Sequence, residues 1–275
     1  RSLKCQVCGV NSFVEDLAGF KNFVITHGTE VHLGLEMNSK LRRNLLWNLR
    51  VNKYKSLKIP SGYRRHGLIF VHVPKAAGST IALNMLGYRV GHRAIGDYWW
   101  LDPNFTERAF KFSFVRHPYF RFVSAYNFLK SGGINSADGL AVTKNIEALK
   151  SLAALGEACE DAAFRDSLTH LRPQWRFLSF PELKKYKINM DFVGKTEFFF
   201  EDIEKLRQIV PNRTAAHLLG SISVPFNVRS EVASSINDDV FRKVRQVYES
   251  DFELFGYDEW GTTDKAACIR SSRRH

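Results

Sequence analysis

The spacing of apolar residues changes several times along this chain, and the changes mark elements. From Gly67 to Val73 ("GLIFVHV") β-branched and aromatic side chains run almost without a break. That pattern predicts a strand buried on both faces. "STIALNMLG" follows, with helical spacing and a stop near Gly87. "AFKFSFV" (109–115) predicts a second strand, and "PYFRFVSAYNFLK" a helix with Pro118 in its first turn, where proline is tolerated. "MDFVGKTE" (190–197) predicts a third strand, and "FEDIEKLRQIV" a third helix stopped by Pro211. Residues 238–255 predict one more amphipathic helix. Before residue 67 the pattern is less regular, with a short strand over 23–26 and Leu41, Leu45, Leu46 and Leu49 at helical spacing. Apolar strands alternating with helices predict the α/β class: a P-loop-like parallel β-sheet flanked by helices on both faces, a three-layer α/β/α fold. The expected organisation is an N-terminal extension packed on the core (1–66), a main domain (67–260) and a basic C-terminal tail (261–275). Ligands of such folds sit at the carboxyl ends of the strands.

Composition adds charge to this picture. Forty Lys and Arg against 28 Asp and Glu give +12, which points to an anionic partner. The segment from Lys40 to Arg65 carries Lys40, Arg42, Arg43, Arg50, Lys53, Lys55, Lys58, Arg64 and Arg65 without one acidic residue. Its leucines make part of it a basic amphipathic helix, either a solvated face or a landing strip for an acidic substrate. Four cysteines are too few for a disulfide scaffold. Cys5 and Cys8 form one Cys-x-x-Cys, but Cys159 and Cys268 lack companion spacing, so a zinc site is not expected. No stretch approaches the roughly 18–20 apolar residues of a membrane span.

The residues that carry chemistry fall at strand ends. Lys75-Ala76-Ala77-Gly78-Ser79-Thr80 turns a strand into a helix and aims several backbone N–H groups at one spot. Those donors and the helix dipole make an anion site. Gly78 allows close approach of the backbone, Lys75 adds a mobile charge, and Ser79 and Thr80 add hydroxyls. The nucleotide triphosphatase motif places its lysine after the second glycine. Here the lysine precedes the glycine. The second strand ends in Arg116, facing the same crevice, with His117 and Pro118 opening the next helix and Ser124 about two turns in. A triphosphatase would put an aspartate there to hold magnesium. An arginine suits a second phosphate instead.

"VPKAAGST" followed by "FVRHPYFRFVSAY" resembles the PAPS-dependent sulfotransferases, in particular the carbohydrate branch with its Golgi-type and bacterial members. PAPS is 3′-phosphoadenosine 5′-phosphosulfate. The resemblance runs from about Leu68 to Arg229 and includes "DFVGKTEFFFEDIEKL". It makes the main domain a sulfotransferase domain that needs no metal. It implies that Lys75 sits on the oxygen bridging phosphorus and sulfur, and that Ala76 and the N–H groups from Ala77 to Thr80 surround the 5′-phosphate. Arg116 and Ser124 hold the 3′-phosphate, and Asn227 and Arg229 in "PFNVRS" fall where relatives close a polar loop over the adenosine phosphate.

Transfer to a hydroxyl also needs a base, and histidine suits neutral pH. His92 in "VGHRAIGDYWW" is the first choice, because relatives that act on sugar hydroxyls carry a histidine in a comparable segment. His170 in "THLRPQWRFL" is the second, and with Arg172 and Gln174 it is expected to line the acceptor site. His117 reads as structural. Other branches use a glutamate, but residues 83–102 contain no Glu, and Asp97 is the best acid there. Arg93, Trp99 and Trp100 beside His92 suit a sugar with acidic groups, or for the tryptophans a place in the core. The expected partner is a carbohydrate or other hydroxyl-bearing acceptor and not nucleic acid. Two rivals stand beside this reading: a small magnesium-dependent kinase, and a non-catalytic protein binding acidic polymers through the basic segment. A cytoplasmic, bacterial-type setting is expected ahead of the Golgi lumen.

Overall fold

The computed structural model describes residues 57–133, 147–179, 190–222 and 237–257, and before residue 57 the backbone of four short strands. The chain divides into two compact units, Arg1–Lys58 and Ile59–His275. In the first, β1 (Ser2–Lys4) pairs antiparallel with β2 (Asn11–Phe13), and β3 (Val24–His27) with β4 (Glu30–Leu33). The leucine-spaced basic stretch, Cys5, Cys8 and the tail from residue 261 lie outside the described residues.

The second unit opens with α1 (Ser61–His66), β5 (Leu68–Val71), α2 (Gly78–Leu86), α3 (Ile95–Leu101), α4 (Pro103–Arg108), β6 (Phe110–Val115) and α5 (Pro118–Lys130). It continues through α6 (Leu152–Ala158), α7 (Ala162–Ser167), α8 (Trp175–Leu178), β7 (Phe192–Lys195), a 3-10 turn (Thr196–Phe198) and α9 (Phe199–Ile209). It closes with α10 (Arg213–Gly220), α11 (Asp238–Val247) and α12 (Glu249–Leu254). The sheet order is β5-β6-β7, all parallel, with Val71 opposite Ser113 and Val115 opposite Lys195. Three carboxyl ends therefore share one side of the sheet.

Successive strand residues point to opposite faces, so a strand buried at every position is covered on both. All of β5 is buried, and β6 is buried from Lys111 to Val115. The expected α/β parallel sheet with two covered faces is what the chain forms. Phe70 stacks on Phe112 at 5.1 Å, and Phe114 meets Phe199 at 5.4 Å. Burying each of these rings contributes roughly 1.5–3 kcal/mol. β7 is the far edge, where Val193 is exposed.

Local signals place the ends. Gly67 and Gly87 close α1 and α2 in the left-handed region. Asp102, Ser151 and Asn212 cap α4, α6 and α10 through their side chains. Residues 238–255, expected as one helix, form two. The chain breaks at Tyr248, whose phenol is drawn inward to donate to Leu171 O at 2.7 Å. Helical spacing persists across the break because Val240, Phe241, Val244 and Phe252 all face the core. Among the described residues no helix is long and apolar enough to cross a membrane.

Candidate active site

Beyond Val71 the chain turns through residues 72–77 into α2. Lys75 (φ 64°) and Ala77 (φ 56°) both adopt the left-handed conformation. That conformation costs about 1–2 kcal/mol for a residue with a Cβ, and such strain concentrates at functional sites. Left-handed residues alternating with Ala76 turn successive N–H groups to one side, the geometry of an anion nest. Ala77 is the N-cap of α2 and has no side chain to cap the first turn. The predicted phosphate cradle is therefore a concave donor surface at a helix start. Ser79 and Lys75 are half-buried there, and Thr80 is fully buried.

Gly78 is demanded by packing. A Cβ on it would lie 1.8 Å from His72 Cδ2 and 2.2 Å from His72 Nε2. His72 thus lies close against Gly78 in the cradle. Its Nδ1 donates to Val90 O at 3.0 Å, and His92 Nδ1 donates to His72 O at 3.2 Å. A carbonyl can only accept, so both rings carry a proton on Nδ1, and when neutral their lone pair is on Nε2. The rings of His72 and His92 are 4.2 Å apart, and His92 meets His170 edge-on at 5.2 Å. His170 lies 4.5 Å from Phe128, and Lys75 Nζ stands 4.4 Å above that same ring. Gly78, His72, His92, His170, Phe128 and Lys75 are thus linked in one chain of contacts. Burial, reinforced by the neighbouring His92, lowers His72 and His170 to about 3, so both are neutral at physiological pH. Among the described residues no group of three His, Cys, Asp or Glu is placed to hold a metal ion.

Sequence reasoning named Lys75, His92 and His170, and the fold brings them together. It missed His72 and Phe128. Phe128 was legible: it follows Ser124 by four residues on α5, so the two share one helix face. His72 carried no signal beyond preceding the cradle.

Arg116 leaves the end of β6, on the same side of the sheet as the cradle. Gln174, expected on the acceptor side, is instead fully buried against Arg116. Its Oε1 accepts from Arg116 N at 2.9 Å, and its Nε2 donates to Arg116 O at 2.8 Å. Arg172 donates to Asp166 O at 2.8 Å and lies over Phe177. Arg121, 1% exposed, donates to His170 O at 3.0 Å and Arg172 O at 2.8 Å, fixing the backbone that carries His170.

His117 has the structural place expected of it. Its Nδ1 accepts from Tyr119 N to cap α5, and burial holds it down at about 4. Asp97 accepts from Ala94 N at 2.9 Å and so caps α3. The charge of Arg93 acts on the buried Tyr63 and Tyr98 phenols, which burial raises. Trp99 is buried edge-on to Trp100 at 5.4 Å. Asn227 and Arg229 lie outside the described residues. A surface cleft of about 420 Å³ lies at the amino ends of the strands, lined by His66, Glu107, Lys111 and Asp191 among others. Lys111 there is already bonded to Ala109 O and paired with Asp191. Parallel sheets bind ligands at the other end.

Residues 63–258 match the family model described as the Sulfotransferase family. The chain belongs to the Sulfotransferase family. Its chemistry is sulfuryl transfer, and the matched range contains the sheet, the cradle, the three histidines and Arg116. Searches of curated proteins and of solved structures each return no match.

Proposed function

We propose that this sulfotransferase moves a sulfuryl group from PAPS to a hydroxyl of a carbohydrate, with His92 as the base. The observation that carries the reading is the chain of contacts joining the donor-lined turn, His92, His170 and, through Phe128, Lys75. The cradle fits a phosphosulfate: its N–H groups are turned to one side, its N-cap is bare, and it has a lysine at its rim.

Bound PAPS supplies the sulfuryl group on a phosphate leaving group. In the proposed step the N–H groups of Ala77 to Thr80, with Ala76 beside them, hold the 5′-phosphate. Arg116 and Ser124 hold the 3′-phosphate, and Asn227 and Arg229 belong to the proposal as further ligands of the adenosine phosphate. The acceptor oxygen forms a bond to sulfur from the side opposite the bridging oxygen, and the sulfur–oxygen bond to the 5′-phosphate breaks. The acceptor proton goes to His92 Nε2, the nitrogen that its Nδ1 hydrogen bond leaves as the basic one. The Lys75 ammonium balances the charge that grows on the bridging oxygen, the kind of electrostatic term that dominates such transfers. His170 and Arg93 face the acceptor, and the +12 charge suits one with acidic groups. The cytoplasmic, bacterial-type setting belongs to the same proposal.

Thermal unfolding with 3′-phosphoadenosine 5′-phosphate (PAP), with 5′-AMP and with ATP-magnesium tests the donor. A ligand at 100 times its Kd that binds only the folded state adds about 2.7 kcal/mol. A shift with PAP that the other two do not match supports PAPS. A shift with ATP-magnesium alone rules out PAPS as the donor and overturns the proposal.

A further inference from the structure

We propose that Gln174 is a positioning residue for Arg116 and, backed by Asp251, sets the affinity for the 3′-phosphate of the donor nucleotide. This rests on reading Arg116 as the ligand of that phosphate.

The need for such a residue follows from strand register. β5 pairs with β6 only as far as Ser113, and β7 only as far as Val115. Arg116 is the next residue, and neither strand continues beside it. A buried N–H or C=O without a partner is costly, because it has given up its bond to water. The Gln174 amide meets both at once, at 2.9 and 2.8 Å, in the manner of one more residue of a neighbouring strand. Two bonds to one rigid amide fix the peptide planes on either side of the Arg116 Cα. They therefore fix the direction in which its side chain leaves.

Gln174 is itself held. Asp251, fully buried on α12, accepts from Gln174 N at 2.8 Å and from Trp175 N at 2.9 Å. At the other end of the same segment Arg121 grips the carbonyls of His170 and Arg172. A single fixed stretch, residues 170–175, thus carries the imidazole beside His92 and the clamp on Arg116. Gln174 is fully buried with both amide atoms engaged, so it touches no acceptor and acts through Arg116.

The test uses the full 275-residue chain and measures Kd by calorimetry for PAP and for 5′-AMP, which lacks the 3′-phosphate. Arg116→Ala is the reference, expected to weaken PAP by about tenfold to a few hundredfold and 5′-AMP by less than about twofold. Gln174→Met keeps the length and removes both hydrogen bonds. It is expected to weaken PAP by about tenfold and to leave 5′-AMP within about twofold, because the 5′ cradle belongs to a different strand end. Equal loss for both nucleotides, the mark of a merely structural role, overturns the proposal, as does no loss for either. If Arg116→Ala does not separate the two nucleotides, the reading of Arg116 fails first and the proposal with it. Should Gln174→Met not fold, Asp251→Asn decides: it loses one of two acceptors and should weaken PAP selectively by about threefold. An unselective effect there overturns the proposal too.

Discussion

Replacing Gly78 with alanine is the most direct probe of the cradle, because the structure fixes what the new methyl would meet. Its Cβ would sit 1.8 Å from His72 Cδ2, 2.2 Å from Nε2 and 2.7 Å from Cγ. These are ring atoms of a side chain that is 6% exposed and tied to Val90 O, so the imidazole has to leave its place. Overpacking of this kind costs about 1–3 kcal/mol. Loss of the buried hydrogen bond adds about 0.5–1.5 kcal/mol. Alanine's better helix propensity offsets up to about 1 kcal/mol. The net expectation is a loss of about 0.5–4.5 kcal/mol, read as a lower urea midpoint by tryptophan fluorescence. In a His72→Ala background the obstacle is gone, and the same substitution should be neutral or slightly stabilising, giving a large coupling energy in the double-mutant cycle. Turnover should fall in the single mutant, because a displaced His72 ring pushes on His92 only 4.2 Å away. An unchanged urea midpoint for Gly78→Ala, or an equal cost in both backgrounds, would refute the reasoning.

Lys75→Ala should abolish sulfuryl transfer while the unfolding midpoint stays close to that of the parent, and full activity in that variant would remove Lys75 from the mechanism. His92→Ala should lower kcat by roughly 10²–10⁴ with PAP affinity nearly unchanged; if only His170→Ala does so, the base is His170. Acid should destabilise the fold well above the carboxylate range. Burial holds His72 and His170 at about 3 and His117 at about 4, against 6.5 for the exposed side chain. Between about 4 and 6.5 the unfolded chain binds protons that the folded chain refuses, so stability rises with pH across that window and is lost on acidification. At pH 5 His72 alone removes about 2 kcal/mol, and urea midpoints that stay level from pH 8 to pH 5 would contradict its buried, neutral state.

Much of the site was legible because its parts are local. The cradle is six consecutive residues, and Arg116 is the residue that follows an unmistakable apolar strand. His92 and His170 stood out as residue types able to take a proton, yet nothing in their spacing says that their rings are 5.2 Å apart. The helix break at Tyr248 was hidden for a related reason. Its cause is the carbonyl of Leu171, 77 residues earlier in the chain.

The three parallel strands, the helix that follows each of them and the donor-rich turn are determined by the sequence alone. Each depends on side chains within one or two turns of each other, where periodicity and turn chemistry act directly. What the tertiary structure decided is which polar groups are engaged. Gln174 looks like a ligand-facing amide until Arg116, at the end of β6, is found without a strand partner. Gly78 looks chosen for its backbone until His72 is found lying against it. Asp251 is buried with both oxygens accepting, from Gln174 N and from Trp175 N, 77 and 76 residues earlier in the chain. A buried polar group must find its partners wherever the fold brings them, and those partners come from distant parts of the chain that no local pattern encodes.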